Sequence, residues 1–417
     1  MKPRDYQAQI IERLGQILTQ YGVALDASDT GVGKTYAAAF TAKSLGWKVA
    51  VICPKAVIPS WKSALDSIGV PYLFVTNIEA IKHKGTYFVK DRKGTAGYTW
   101  KLPERVLLIF DEVHRFAGEN TSNAKILASA PKPVLMLSAT CADSPLRFHA
   151  MGHQLGIVHW NDWYRWCFKN GCVKNIPFGG LKFVGSEKII ENLHRLIFTS
   201  KGVRLRIADL GDAFPANSIE AVAVPVDDTE AVNAEYIEAL RQLEAEAPNA
   251  AVQMLRARQV SEHLKVPSLA EMTDDLLEAG KSVAIFVCFR DTLDLLTKRF
   301  PNCSLIFGEQ DPVERQEAIE RFQSNESRVI ISTIQAGGVG VSLHDLQGSH
   351  PRASLICPSF SAVDMKQAFG RIYRNGAKTP CIQRVIFASE TVEERVKSKV
   401  EKKIDRIELL NDGDLSL

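Results

Sequence analysis

Short apolar runs alternate with longer amphipathic stretches along this chain, and that grammar limits the folds open to it. In the first half the runs are Val23–Leu25, Val49–Ile52, Tyr72–Val75, Val106–Phe110 and Val134–Leu137. In the second half they are Val283–Phe289, Ser304–Phe307, Val329–Ile331, Leu355–Cys357 and Gln383–Phe387. A strand with one wet face alternates apolar and polar residues. A run that is apolar on nearly every position belongs in a parallel sheet covered by helices on both sides. The periodic segments between the runs, such as Tyr36–Ser44, Thr292–Phe300 and Pro312–Phe322, fit crossover helices. The expected architecture is therefore α/β: two mostly parallel sheets in tandem, at 1–215 and 216–417, each with helices on both faces. A length of 417 residues accommodates two such units at roughly 100–200 residues each.

Two stretches break the rhythm. Residues 143–215 read as an insertion in the first unit. They hold an aromatic cluster (Trp160, Trp163, Tyr164, Trp166, Phe168), a Gly179-Gly180 turn and the basic residues Lys201, Arg204 and Arg206. Trp163 and Trp166 are three apart, which suits one buried helix face; exposed aromatics could instead stack on bases. The basic residues read either as phosphate contacts or as a solvated face. Residues 227–265 read as a charged helical segment, and Val392–Leu410 as a closing helix packed on the second unit.

Composition excludes more than it identifies. With 46% hydrophobic and 24% charged residues the chain is not disordered. A net charge of +3 means that any nucleic-acid footprint must be local. The eight cysteines are scattered, only Cys167 and Cys172 lie close, and no zinc-ligand spacing follows; free thiols in a reducing compartment are expected. No signal-peptide core or membrane-length apolar run is present, so a soluble, intracellular (cytoplasmic) protein is expected.

Two motifs carry chemistry. Thr30-Gly31-Val32-Gly33-Lys34-Thr35 follows an apolar strand and opens an Ala-rich helix. Glycines let backbone N–H groups at a helix N-terminus approach anionic oxygens closely. Lys34 would hold β/γ-phosphates and Thr35 would bind Mg2+. The second motif is Asp111-Glu112-Val113-His114, delivered at the end of the run Val106–Phe110. Asp111 would hold Mg2+, partly through water, and Glu112 would orient or deprotonate the attacking water. His114 would link this site to the rest of the protein.

With these motifs in this order the chain resembles superfamily 2 helicases, and the resemblance runs over nearly the whole sequence. Arg4-Asp5-Tyr6-Gln7 resembles the family's adenine-reading element, in which the Gln7 amide matches a donor and an acceptor on the base edge. Cys53-Pro54-Lys55 and Thr76-Asn77 occupy places where the family contacts the strand backbone. Ser138-Ala139-Thr140 resembles the motif that couples hydrolysis to domain movement. Ser332-Thr333-Ile334-Gln335-Ala336-Gly337-Gly338-Val339-Gly340 resembles the motif that touches both nucleotide and nucleic acid. Gln367-Ala368-Phe369-Gly370-Arg371-Ile372-Tyr373-Arg374 resembles the motif whose two arginines meet the γ-phosphate.

Within the superfamily the chain is most similar to the SWI2/SNF2 group, especially its small annealing-helicase-like members. The cues are Tyr6-Gln7, Asp111-Glu112-x-His114-Arg115, Ala336-Gly337-Gly338-x-Gly340 and Arg371-x-x-Arg374-x-Gly376, with Ile306-x-Gly308 and Thr391-Val392-Glu393-Glu394 besides. It departs from that group in having Ser28-Asp29-Thr30 before Gly31, Ser-Ala-Thr at 138–140, and Phe360 where a Trp is usual. The compact length suggests a bacterial or phage motor.

The resemblance implies two RecA-like domains with a cleft between them, and ATP and Mg2+ as cofactors. It implies DNA-stimulated ATP hydrolysis that drives translocation on duplex, forked or branched DNA, with RNA as the alternative substrate. A monomer is compatible with this, and no membrane is involved. A non-motor ATP switch would need neither the arginine pair nor the strand-contact motifs.

Overall fold

Each of the ten apolar runs falls on a strand, with small shifts at the ends. The computed structural model describes residues 2–393 apart from 85–86, 92, 120, 143, 176–179, 246–249, 338–340, 360 and 392. Gly338–Gly340, Phe360 and, but for Glu393, the helix expected over Val392–Leu410 thus lie outside the described residues. The chain divides between Gly211 and Asp212 into two compact units.

In chain order the strands of the first unit are β1 (Val23–Asp26), β2 (Lys48–Ile52), β3 (Tyr72–Thr76), β4 (Phe88–Lys90), β5 (Tyr98–Trp100), β6 (Val106–Asp111), β7 (Val134–Leu137), β8 (Cys172–Lys174), β9 (Leu181–Phe183) and β10 (Gly202–Val203). Six of them form one sheet, every pair parallel, in the order β10-β1-β7-β6-β2-β3. The pairs β4–β5 and β8–β9 are antiparallel hairpins. The helices are α1 (Asp5–Tyr21), α2 (Lys34–Leu45), α3 (Ile58–Ile68), α4 (Ile78–Lys84), α5 (Ser122–Ala128), α6 (His149–Gln154), α7 (Trp163–Lys169) and α8 (Glu187–Phe198).

The sheet is buried on both faces, and strand periodicity sorts its side chains between two cores. From β6, Leu107 and Ile109 join Leu14, Ala38 and Trp61 of α1, α2 and α3. Val106, Leu108 and Phe110 join Leu127 of α5, Met151 of α6, Trp163 of α7 and Leu193 of α8. Adjacent residues point to opposite faces, so a continuous apolar run supplies both layers at once.

The insertion is more than a decoration on this sheet. Its end, β10, pairs with β1 and forms an edge of the sheet. A two-residue strand leaves no periodic signal, which is why the sequence gives no hint of it.

The second unit holds β11 (Asn217–Val224), β12 (Ser282–Val287), β13 (Ser304–Ile306), β14 (Val329–Thr333), β15 (Arg352–Ile356) and β16 (Cys381–Ala388). These are parallel throughout, in the order β11-β16-β15-β12-β14-β13. Its helices are α9 (Thr229–Glu244), α10 (Ala250–Leu264), α11 (Val266–Glu278), α12 (Arg290–Arg299), α13 (Pro312–Gln323), α14 (Ile334–Gly337) and α15 (Ala362–Phe369). The charged segment at 227–265 is thus two helices, which pack through Val232, Tyr236, Ala239 and Ala257. β11 escaped notice because it is mostly exposed along its length. None of the eight cysteines is in a disulfide, and no helix among the described residues is long and apolar enough to cross a membrane.

Candidate functional site

Parallel pairing puts the carboxyl ends of all six strands of the first unit's parallel sheet at one edge. The register aligns Thr76 with Ile52, Ile52 with Phe110, Asp111 with Leu137, Leu137 with Asp26 and Asp26 with Val203. Residues far apart in the chain therefore leave the sheet side by side, the arrangement by which open parallel sheets build ligand sites.

The phosphate loop leaves β1 and feeds α2. Gly31 and Gly33 have φ of 87° and 91°, a region costly for side chains with a Cβ. A Cβ on Gly33 would also stand 2.6 Å from Gln7 Nε2. The loop is braced from behind. Gln7 Nε2 donates to the carbonyls of Val32 (3.1 Å) and Gly33 (3.3 Å), Tyr6 Oη donates to Val32 O (3.3 Å), and Gln7 Oε1 accepts from Arg4 N (3.1 Å). Thus Tyr6 and Gln7 pack against the loop, with the amide of Gln7 engaged by protein at both ends. Lys34 opens α2, and its Nζ donates to Ser28 O (2.7 Å) and Asp29 O (2.8 Å). Burial lowers the Lys34 pKa, and Asp26, Glu112, Asp111 and Asp29 oppose that shift. Thr30 and Thr35 flank the same turn and are partly buried.

Two strands away, β6 delivers the acidic pair. Asp111 Oδ2 accepts from the buried Trp61 indole (2.8 Å), and Oδ1 accepts from Glu112 N (3.0 Å). Burial and the adjacent Glu112 charge raise the Asp111 pKa to about 6. Glu112 sits at φ 53°, ψ 55°, a left-handed conformation uncommon for a residue with a side chain. The kink turns its carboxylate toward His114, whose Nδ1 is 3.3 Å from Glu112 Oε2. The same Nδ1 lies 2.9 Å from Ser138 Oγ and 3.4 Å from Thr140 Oγ1. Ser138 follows β7, so the three expected coupling residues form one polar chain that ends on Glu112.

These residues fit a divalent cation. The neighbouring carboxylates of Asp111 and Glu112 repel each other, and a cation would relieve that repulsion. Among the described residues no group of three His, Cys, Asp or Glu side chains could hold a metal alone. A hard cation at Asp111 and Thr35 would therefore complete its oxygen shell with phosphates and water, as Mg2+ does.

Two residues that the sequence reading overlooked, Trp61 and Asp26, also shape this site, as does Arg204, which that reading placed either on phosphates or on a solvated face. Trp61 orients Asp111 across a separation of 50 residues. Asp26, the last residue of β1, is buried; its Oδ1 accepts from Ser28 N (2.9 Å), while Oδ2 has no hydrogen-bond partner. Burial raises its pKa against the pull of Lys34. Arg204 donates from Nη1 to Ala27 O (2.6 Å) and Asp29 Oδ1 (2.8 Å).

The backbone beside Arg204 runs along the same loop. Ala27 N donates to Val203 O (2.9 Å) and Asp29 N to Leu205 O (3.0 Å). Leu205 N donates to Ser28 Oγ (3.1 Å) and Ile207 N to Asp29 Oδ2 (2.8 Å). Lys201 donates to Leu155 O and Arg206 pairs with Asp209. The three basic residues therefore have separate structural partners, which charge alone could not foretell. A buried carboxylate at the end of an apolar run was the one legible sign of Asp26.

The expected strand contacts lie at the same edge. Lys55 is exposed just past β2, Thr76 ends β3, and Asn77 Oδ1 accepts from Ala80 N (2.9 Å) at the start of α4. In the second unit, Ser332 and Thr333 end β14; Ser332 is buried and donates from Oγ to Thr333 O (3.0 Å). Gln367 on α15 is buried beside Arg371, whose Nε donates to Gln367 O (2.9 Å) and Nη1 to Val341 O (3.1 Å). Arg374, less buried, donates to Gly370 O (2.7 Å) and Ser342 Oγ (2.8 Å).

The chain matches two family models: "Type III restriction enzyme, res subunit" over residues 1–143 and "Helicase conserved C-terminal domain" over residues 265–376. It is 36% identical to "Putative ATP-dependent RNA helicase L364" of Acanthamoeba polyphaga mimivirus, covering 98% of this chain and 84% of that protein. A shorter match, 26% identical over 28% of this chain and 14% of the other, is to "DNA repair and recombination protein RAD54" of Saccharomyces cerevisiae. Among solved structures, S. cerevisiae Dbp5 bound to RNA and ADP BeF3 aligns with a TM-score of 0.54 at 13% identity, covering 97% of this chain and 88% of that one. That likeness concerns the fold, two parallel sheets with helices. Taken with the motifs and their placement, these matches establish that the chain belongs to the superfamily 2 helicases, ATP-hydrolysing enzymes.

Proposed function

We propose that this helicase is a DNA-stimulated motor, which couples ATP hydrolysis to translocation along, or remodelling of, duplex or branched DNA. One observation supports the reading most. Lys34, Asp111 and Glu112 share a sheet edge with Lys55, Thr76 and Asn77, and a polar chain through His114 joins Glu112 to Ser138 and Thr140. Nucleotide and strand would then be held by one rigid sheet.

In this reading ATP phosphates rest on Thr30, Gly31, Gly33, Lys34 and Thr35, and the base lies against Tyr6 and Gln7. To read adenine, the Gln7 amide would exchange one of its protein bonds for the base. Thr35 and Asp111 would hold Mg2+, which when bound would supply charge that neutralises the phosphates. Glu112 takes a proton from the attacking water. The family resemblance gives Gly338, Gln367, Arg371 and Arg374 a part in the same reaction, and guanidinium suits the charge that spreads over the transferring phosphoryl oxygens. Ser332 and Thr333 touch the strand. Backbone contacts dominate such binding, so affinity falls with salt.

DNA is favoured by the SWI2/SNF2-like motif details. RNA is a second reading, favoured by the name of the mimivirus relative. ATPase activity measured with forked DNA, four-way junctions, single-stranded DNA and single-stranded RNA tests both. Branched DNA is expected to stimulate most. Stimulation by RNA alone would replace the DNA assignment, and indifference to every nucleic acid would end the motor reading and favour an ATP switch.

A further inference from the structure

The aromatic cluster of the insertion divides between two environments. His149 stacks on Trp160 and Trp163, with ring centroids 3.8 and 4.4 Å apart, and Trp163 stacks on Trp166 at 5.4 Å. Trp163 and Cys167 are buried in the core of the first unit. These rings are occupied by packing. Tyr164 and Phe168, on the same helix α7, remain 51% and 47% exposed.

A helix turns about 100° per residue. Tyr164, Phe168, Arg165 and Lys169 therefore span one continuous arc of about 140°, and all four are exposed. Trp163, Trp166, Cys167 and Asn170 fill the opposite arc. A lone exposed aromatic needs no explanation. Here two stand one helical turn apart, each followed directly by a base. The acidic neighbours are Glu119, which bonds the Tyr164 hydroxyl, and Asp162, just before the helix.

Charge points the same way. Between Ser144 and Lys201 the chain carries eight Lys or Arg and three Asp or Glu, a net of +5 against +3 for the whole chain. The remainder of the protein is thus slightly acidic, and the positive charge is concentrated on the insertion that displays these rings. Lys174 and Lys182 of the β8–β9 hairpin are exposed as well.

We infer that the outward face of α7 binds unpaired nucleic acid, with bases stacked on Phe168 and Tyr164 and phosphates paired to Arg165 and Lys169. A flat apolar ring takes any base whose faces are open, and a flanking cation takes the phosphate that follows. A blunt duplex offers phosphates but no open base faces. None of these four residues belongs to the motifs at the sheet edge, and the inference rests on the reading that the chain acts on nucleic acid.

Fluorescence anisotropy of the full chain with labelled single-stranded DNA, single-stranded RNA and blunt duplex DNA tests it. Phe168→Ala is expected to weaken single-strand binding about tenfold and blunt-duplex binding less than about twofold. The double variant Arg165→Gln/Lys169→Gln is expected to reduce the slope of log affinity against log salt by about 1.4 on single strands. ATPase without nucleic acid, and the melting temperature, should match wild type in both. Unchanged single-strand affinity and slope, with wild type binding normally, would overturn this site and leave the motor intact. Equal losses on duplex and single strand would overturn the stacking. A wild-type chain that binds no oligonucleotide would overturn the proposed function and this site together.

Discussion

At the scale of single residues, the candidate site is built from groups held in states they resist. Asp111 is raised to about 6 by burial and by Glu112, whereas an ordinary aspartate titrates near ~4. With its pKa raised, this group leaves the folded chain at full stability below the unfolded value, where the carboxyl is protonated in both states, and stability falls as pH rises from about 4 through about 6. Asp111→Asn should therefore gain stability relative to wild type as pH rises from about 4 to about 7.5, without nucleotide or divalent cation. Asparagine keeps the Trp61 bond through its single oxygen and loses the one from Glu112 N, a cost that does not vary with pH. A melting difference that does not vary with pH would remove the electrostatic account. Glu112 has the separate task of handling the water. Glu112→Gln should bind ATP as wild type does and lose about 10²–10⁴ in kcat; steady-state turnover equal to wild type would contradict that role.

At the scale of elements, the phosphate loop depends on a partner that is distant in sequence. The segment from Val203 to Ile207 extends β10 along the loop and ties Ala27, Ser28 and Asp29 by backbone and side-chain bonds. Arg204 is the side-chain part of that clamp, and its side chain is only 11% exposed. Removing it leaves Asp29 and the Ala27 carbonyl short of a donor, a cost of about 1–3 kcal/mol. Arg204→Ala should lower the melting temperature and raise the KM for ATP by about tenfold, since a nucleotide would then have to order the loop. A KM unchanged in a destabilised variant would confine Arg204 to folding. The same segment explains why the insertion returns to the sheet: without β10, the strand that carries the loop would be an edge.

At the scale of the whole molecule, the proposed cycle asks the second unit to contribute to hydrolysis. Arg371 and Arg374 lie just past the end of α15, held by backbone carbonyls and Ser342. Arg371→Lys keeps the charge and loses the planar fork, and Arg374→Gln loses the charge at a less buried position. Both should bind ATP within about twofold of wild type and lose about 10²-fold or more in kcat. If both retain wild-type kcat, the arginine pair has no part in the reaction.

The sequence by itself determined the two parallel sheets, because a strand buried on both faces must be apolar at nearly every position. It also determined the phosphate loop and the acidic pair, because their chemistry depends on residues adjacent in the chain. Only tertiary structure decided which side chains hold those motifs in place. Trp61 reaches Asp111 and Arg204 reaches Asp29 through the order of strands in the sheet, which no local pattern encodes. The division of one aromatic cluster into a buried half and an exposed half was likewise settled by packing, since both halves read the same in sequence.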